Sequence, residues 1–420
     1  MIKKILSALL IFFQTIWCGQ TAPKVKFAEC IIDDGSAVIL CENFRMPIVV
    51  VGLLFDVGSL DAPLNKFGVA EIVAENMINS KAQEQLRSLG ISCSAIASET
   101  YTEVLAEMHP KYVKKFFEIM RENFSKFSVT NLEIQKKQMI VDRRLADYYS
   151  EDIVKNEIFS HIKLKNKNAA NQIFKEKSLQ SITEGDVKQF FANNYLDCHL
   201  AIIVSGALNL QNLLENLPPM KTQRHRRGIT DDFCKNDAFR NVLLESKHIG
   251  RSLRYFYKIP SKQNNNLSDI FFCLFNCEVF KFFKKMNPLL VDYRIRSILD
   301  HGDCLQEVCL YPREDVTLDQ LQKAYDFFVN RIRKTPFSRE SFAKIARMGD
   351  YEHRFLCSSP QELYLKVRNL HMAGKNINSI YKIEDNIKNV RSQALKAFGE
   401  KVLGENLIFK ITTKYNARSL

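Results

Sequence analysis

Short runs that are apolar at nearly every position alternate along this chain with longer runs of helical spacing. Ala37 to Cys41 and Pro47 to Phe55 are β-rich and separated by the polar stretch Glu42 to Arg45, which predicts an antiparallel pair. From Gly68 to Ile78 the period changes: Val69, Ile72, Val73 and Met77 fall on one side of a helix. Ser92 to Ala97 and Thr102 to Glu107 predict two more strands, Tyr112 to Phe124 and Leu132 to Tyr148 two long helices, and Ala201 to Val204 a closing strand. Strands and helices do not alternate strictly. The expected class is therefore α+β, a mainly antiparallel sheet with helices packed on one face.

The pattern is written twice. Phe127-Ser128, Leu132, Asp142 and Arg144 reappear as Phe337-Ser338, Phe342, Glu352 and Arg354, each 210 residues later, and Phe117 and Ile119 fall on Phe327 and Val329 at the same offset. Between the copies, Leu217-Pro218-Pro219 and the basic run Lys221 to Arg227 can neither continue a helix nor fill a sheet. The expected organisation is a domain over 25–215, a linker over 216–239 and a similar domain over 240–415, the two facing each other as a clamshell.

Composition adds limits. With 46% hydrophobic and 25% charged residues in 420, the chain is neither disordered nor fibrous. Met1-Ile2-Lys3-Lys4, the apolar run Ile5 to Phe13 and the mixed stretch to Ala22 have the build of an export signal over 1–22, so secretion, most simply to a bacterial periplasm, is expected. No other stretch is long and apolar enough to span a bilayer, the run Ile270 to Phe283 being broken by Asn276, Glu278 and Lys281. The net charge of +13 favours anionic surfaces in general. The lysines are scattered, so a nucleic-acid partner is not expected. Eleven cysteines show no disulfide-scaffold spacing. Cys273, Cys277, Cys304 and Cys309 could in principle make a four-thiolate zinc site, or simply serve as buried hydrophobes.

Asp34-Gly35-Ser36-Ala37-Val38-Ile39-Leu40, the stretch Pro47 to Gly52, Asp56-Val57-Gly58-Ser59-Leu60-Asp61, Lys66-Phe67-Gly68-Val69-Ala70 and Ser98-Glu99-Thr100-Tyr101-Thr102 together resemble the opening of pitrilysin/insulinase-type zinc peptidases. The branch they resemble most is that of the mitochondrial processing peptidase and its bacterial relatives. The resemblance is specific in the first half and architectural in the second.

Active members carry His-x-x-Glu-His after this Gly-x-Ala: two imidazoles on one helical face hold Zn²⁺, and the glutamate takes a proton from the metal-bound water. Here the segment reads Glu71-Ile72-Val73-Ala74-Glu75. Both imidazoles are replaced by carboxylates, and the base by alanine. The family's third ligand, a glutamate on a later helix, aligns with Asp142. Glu71, Glu75 and Asp142 could instead offer oxygens to a hard cation, or stand as ordinary exposed or ion-paired helix residues. The family's distant substrate-carbonyl pair, an arginine and a tyrosine seven positions apart, aligns loosely with Arg294 and His301, for which a surface helix with ordinary arginines is the plainer alternative.

The resemblance thus implies an inactive metallopeptidase homologue with its zinc lost and no catalytic residue, Arg294 and His301 serving as substrate-binding groups. Two-subunit enzymes occur in this branch in which one subunit lacks the zinc motif. The expected role is the partner of an active zinc peptidase paralogue, in a heterodimer that encloses an extended peptide. A peptide-holding homodimer and a peptidase with an altered metal site remain as alternatives.

Overall fold

The computed structural model describes residues 25–415 except 33–35, 64, 99, 147–153, 155–156, 159–175, 197–199, 218–238, 247–249, 260–265, 300–303, 336, 339, 348–357, 373, 375 and 379–389. The expected export signal and most of the expected linker, with its basic run, lie outside these residues.

Eleven strands form two sheets. The first contains β1 (Lys26–Ile31), β2 (Ala37–Glu42), β3 (Val49–Phe55), β4 (Ser92–Ala97), β5 (Thr102–Met108) and β6 (Leu200–Gly206), in the order β1-β2-β6-β3-β5-β4. The second contains β7 (Arg240–Ser246), β8 (Ser252–Ile259), β9 (Leu290–Leu299), β10 (Cys304–Pro312) and β11 (Leu407–Tyr415), in the order β7-β11-β8-β10-β9. Both are antiparallel except for one parallel pair each, β2 with β6 and β7 with β11. Strand for strand, the second sheet repeats the first without β1.

The expected pairing of Ala37–Cys41 with Pro47–Phe55 does not form. β6 lies between them, parallel to β2 and antiparallel to β3. The cause is burial: every residue of β3 and β6 is buried, so these two strands occupy the sheet centre, where both faces are covered.

Around the first sheet run α1 (Val69–Asn76), α2 (Ser80–Ser88), α3 (Val113–Ser125), α4 (Leu132–Ala146), α5 (Glu176–Gln180), α6 (Glu184–Asn194) and α7 (Leu210–Asn216). Around the second run α8 (Asn266–Phe280), which continues into a π-helical turn at Lys281–Met286, α9 (Leu318–Lys334) and, after α10 (Pro360–Met372), which reaches over to the first sheet, α11 (Ser392–Glu405). α2 escapes the sequence pattern because only Ala82 and Leu86 of its nine residues are buried; Asn79 caps it, its side chain accepting from the Ala82 amide at 2.9 Å.

Each sheet buries one face under its own helices. Val38, Leu40, Val51 and Leu53 pack there in the first half; Leu253, Tyr255, Val308 and Leu310 do so in the second. The opposite faces are covered by exchange. Leu363, Tyr364 and Val367 of α10, a second-half helix, pack on Ile39, Val50 and Ile203 of the first sheet. Val154 and Ile158, from the first half, pack on Phe256, Leu305 and Ile411 of the second. The duplication relates the two arms: 364 − 154 and 368 − 158 both equal 210, which pairs Val154 with Tyr364 and Ile158 with Arg368.

The offset of 210 fails in one helix. Phe117 is 2% exposed whereas Phe327 is 63% exposed. The buried positions Val113, Phe116 and Met120 of α3 correspond to Tyr325, Phe328 and Ile332 of α9, an offset of 212. Phe127 and Phe337, and Leu132 and Phe342, pack against their respective cores at the offset of 210.

Candidate functional site

α1 starts at Gly68, whose φ of 97° lies in the left-handed region. A Cβ at this position would also stand 2.7 Å from Leu179 of α5 and 3.3 Å from Met139 of α4, so glycine is required both by conformation and by space. The preceding residues are fastened to α5 and α6. The Phe67 amide donates to Ser178 Oγ at 2.8 Å, and Lys66 pairs with Asp186 at 2.7 Å. With Lys66 and the Thr183 cap donating to it, the Asp186 carboxyl is held at about 2 despite partial burial.

Val69, Ile72 and Val73 turn into the core, which leaves Glu71 and Glu75, one helical turn apart, on the outer side. Ala74 is 2% exposed: where active members of the resembled family have a base, this chain has a covered methyl group. α4 is clamped alongside. Asn76 donates to Gln135 Oε1 at 3.0 Å and accepts from the Thr130 amide at 2.9 Å. One turn further along α4, Gln138 donates to Asp142 at 2.8 Å.

The structure brings Glu71, Glu75 and Asp142 together. The Glu75 carboxyl is raised above the ordinary carboxylate range, first by partial burial, then by the charge of Asp142, then by that of Glu71. The group thus has three carboxylates and no imidazole, with Glu75 repelled by the other two. Among the described residues, no set of three His, Cys, Asp or Glu side chains is arranged to hold a metal ion. The donor set does not fit a zinc peptidase centre.

Arg294 stands on β9, so the stretch expected as a surface helix is an edge strand. Its Nη2 lies 3.5 Å from Glu307 Oε2. Glu307, fully buried on β10, also accepts from Arg254 Nη1 at 2.9 Å and Arg296 Nε at 2.7 Å. Three guanidinium groups thus converge on one carboxylate. His301 lies outside the described residues. The four-cysteine alternative is not assembled: Cys277 packs with the α8 core, while Cys309, paired in register with Arg254 and Arg294, faces the other side of the sheet. Burial pushes the Cys309 thiol up to about 11.

A second buried polar group escaped the sequence reading. Glu103 on β5 accepts from the Tyr364 hydroxyl and, at 2.8 Å, from Arg368 Nη1, both on α10. At the offset of 210, Tyr364 and Arg368 correspond to Val154 and Ile158, side chains of a different kind, so no residue match marks them.

Residues 37–177, which include Glu71, Ala74, Glu75 and Asp142, match the sequence profile of the family described as Insulinase (Peptidase family M16). No curated protein matches the chain in sequence. Among solved structures, the fold is similar to a protease from Helicobacter pylori, with TM-score 0.77 and 12% identity over 93% of this chain and 100% of that one. It is similar to the periplasmic protease PqqL of Escherichia coli, with TM-score 0.76 and 14% identity over 94% of this chain but only 48% of that one. A peptidase M16 inactive domain from Pseudomonas fluorescens gives TM-score 0.73 and 13% identity over 94% of this chain and 100% of that one.

Proposed function

We infer that this chain, a pitrilysin/insulinase-type (M16) peptidase homologue, is a non-catalytic subunit that helps an active zinc peptidase paralogue enclose and bind an extended peptide. The observation that carries this reading is the replacement of both imidazoles and the base by Glu71, Glu75 and the covered Ala74, on a helix within the stretch that matches the family. The similarity to an M16 inactive domain supports it.

Peptide handling without a metal has a physical basis in β4. This strand ends the first sheet's order and packs beside α1, with Ser92, Ser94 and Ile96 facing outward. An extended peptide can add to such an edge through main-chain hydrogen bonds, with alternate side chains giving selectivity. Arg294 would contribute a second contact from the other half, and His301 with it. The basic, apolar and polar order of residues 1–22, together with the periplasmic relative, supports export to the periplasm.

The test is to purify the chain alone and after co-expression with an active M16 paralogue from the same source. Alone, it should hold no stoichiometric zinc and leave an unstructured peptide uncut; with the paralogue, it should co-purify and raise peptide turnover. A lone chain that cuts in a chelator-sensitive way would establish an altered metal site instead. A stable self-dimer that binds peptide and ignores the paralogue would establish the homodimer.

A further inference from the structure

The end of α8 carries a surface that the peptide-handling role does not use. In the π-helical turn Lys281–Met286, Phe282 and Phe283 point inward and are buried, while Lys285 and Met286 point outward, Met286 with 58% of its surface exposed. On one flank is Phe280, 38% exposed, with Lys285 5.9 Å and Lys344 5.2 Å from its ring centroid. On the other is Phe327, 63% exposed, its ring 6.1 Å from that of Phe282. Lys284 donates to the carbonyl of Val291, itself 62% exposed.

The acids nearby are largely engaged within the cluster. Glu278 pairs with Arg331 at 3.5 Å and Lys281 with Glu340 at 3.8 Å, while Asp292 adjoins Val291. Lys284, Lys285 and Lys344 add three positive charges to a rim of exposed phenylalanine, methionine and valine.

We propose that this surface docks the protein on an anionic lipid bilayer. Three features select that partner. Exposed rings beside lysines fit the boundary between headgroups and acyl chains, where the ring enters the apolar layer and the ammonium remains with the phosphates. Phenylalanine and methionine suit a protein interface as well as a lipid one, but lysine is depleted from the former, so the three lysines decide for the lipid. The ring of Phe280 is flanked by Lys285 and Lys344, and Met286 and Val291 on the rim are aliphatic, a surface suited to acyl chains more than to stacked bases. No described helix is long and apolar enough to cross a membrane.

The experiment uses the full chain with vesicles of phosphatidylcholine, alone or with 40% phosphatidylglycerol (about this fraction suffices to give an anionic surface). Hydrogen exchange is followed in peptides covering 278–292 and 323–333, a local readout that apolar residues near the N-terminus cannot mimic. Exchange should slow with the anionic vesicles and not with the neutral ones, and salt near 0.5 M should reverse it (roughly a 4 Å screening length). Lys284→Glu with Lys285→Glu should weaken binding by about tenfold or more, and Phe327→Ser should weaken it by about fivefold. Each variant is first shown to melt as the parent does; Lys285→Glu alone serves if the double variant does not fold. Protection absent from these peptides, or unchanged in the folded variants, would overturn the proposal. So would a concentration-dependent dimer abolished by Phe327→Ser, which would assign the surface to a second copy of the chain.

Discussion

Tyr364 lies across Gly52 so closely that a side chain at position 52 would occupy the space of its ring and hydroxyl. The two residues belong to different halves, and their fit is what allows α10 to lie flat on β3. Gly52→Ala should therefore lift the arm and cost about 1–3 kcal/mol, the usual range for overpacking. Tyr364→Phe keeps the shape but withdraws a hydrogen bond from the buried Glu103, for a loss of about 1–3 kcal/mol. Denaturant unfolding of both variants checks these values, and a neutral Gly52→Ala would contradict the packing.

Glu307 sits under Arg254, which is 1% exposed. Glu307→Gln strands this buried guanidinium and should destabilise the second half by about 3–5 kcal/mol. Replacing Arg254 and Glu307 together with leucine should cost less than Glu307→Gln alone, because the fully buried guanidinium leaves with its partner and only the part-exposed Arg294 and Arg296 lose a contact. A double-mutant cycle in urea measures the difference.

Glu75 gives a pH dependence of known sign. Its carboxyl titrates above the ordinary range in the folded chain, so the folded state holds that proton more tightly than the unfolded one. This contribution is fully present below the ordinary carboxylate pKa and is lost as pH rises through the raised one. Glu75→Gln should raise the melting temperature near neutral pH, by a few tenths of a kcal/mol to about 1 kcal/mol in stability for a partly exposed group, and change little near pH 4. Equal effects at both pH values would show that the like charges do not act.

The role proposed for Arg294 separates from that of the acidic group. In a reconstituted pair, Arg294→Ala should reduce peptide processing several-fold, whereas Glu71→Ala or Glu75→Ala should leave it nearly intact. The reverse ranking, measured as kcat/KM, would point to a working carboxylate metal site.

Trypsin should cut first between Lys221 and Arg227 if the expected linker is exposed, since cleavage needs accessible backbone. Early cuts distributed evenly through both halves would speak against the expected domain division.

What could be read from the sequence follows the range of the interactions involved. β2 to β6 and the face of α1 were legible because alternation and helical spacing are local. The place of β6 between β2 and β3 was not, because it is settled by contacts some 150 residues apart in sequence, a separation that no local pattern encodes. Phe327 misled because an exact residue match was allowed to outrank the burial rhythm of Tyr325, Phe328 and Ile332. In the candidate site, Glu71 and Glu75 follow from helical spacing, but only family resemblance led to Asp142, and the triple-arginine environment of Glu307 required the register of β8, β9 and β10.

The arm exchange also makes the shape of this chain independent of the side chains at positions 71 and 75. Each half is completed by a piece of the other, as in two interlocked copies of a single ancestral unit that have since been joined end to end. The interlock rests on Tyr364, Leu363 and Val367 on one side and on Val154 and Ile158 on the other, none of them among the zinc-motif positions. Glu71 and Glu75 can therefore change without loosening the interlock, because the contacts that hold the two halves together are made elsewhere.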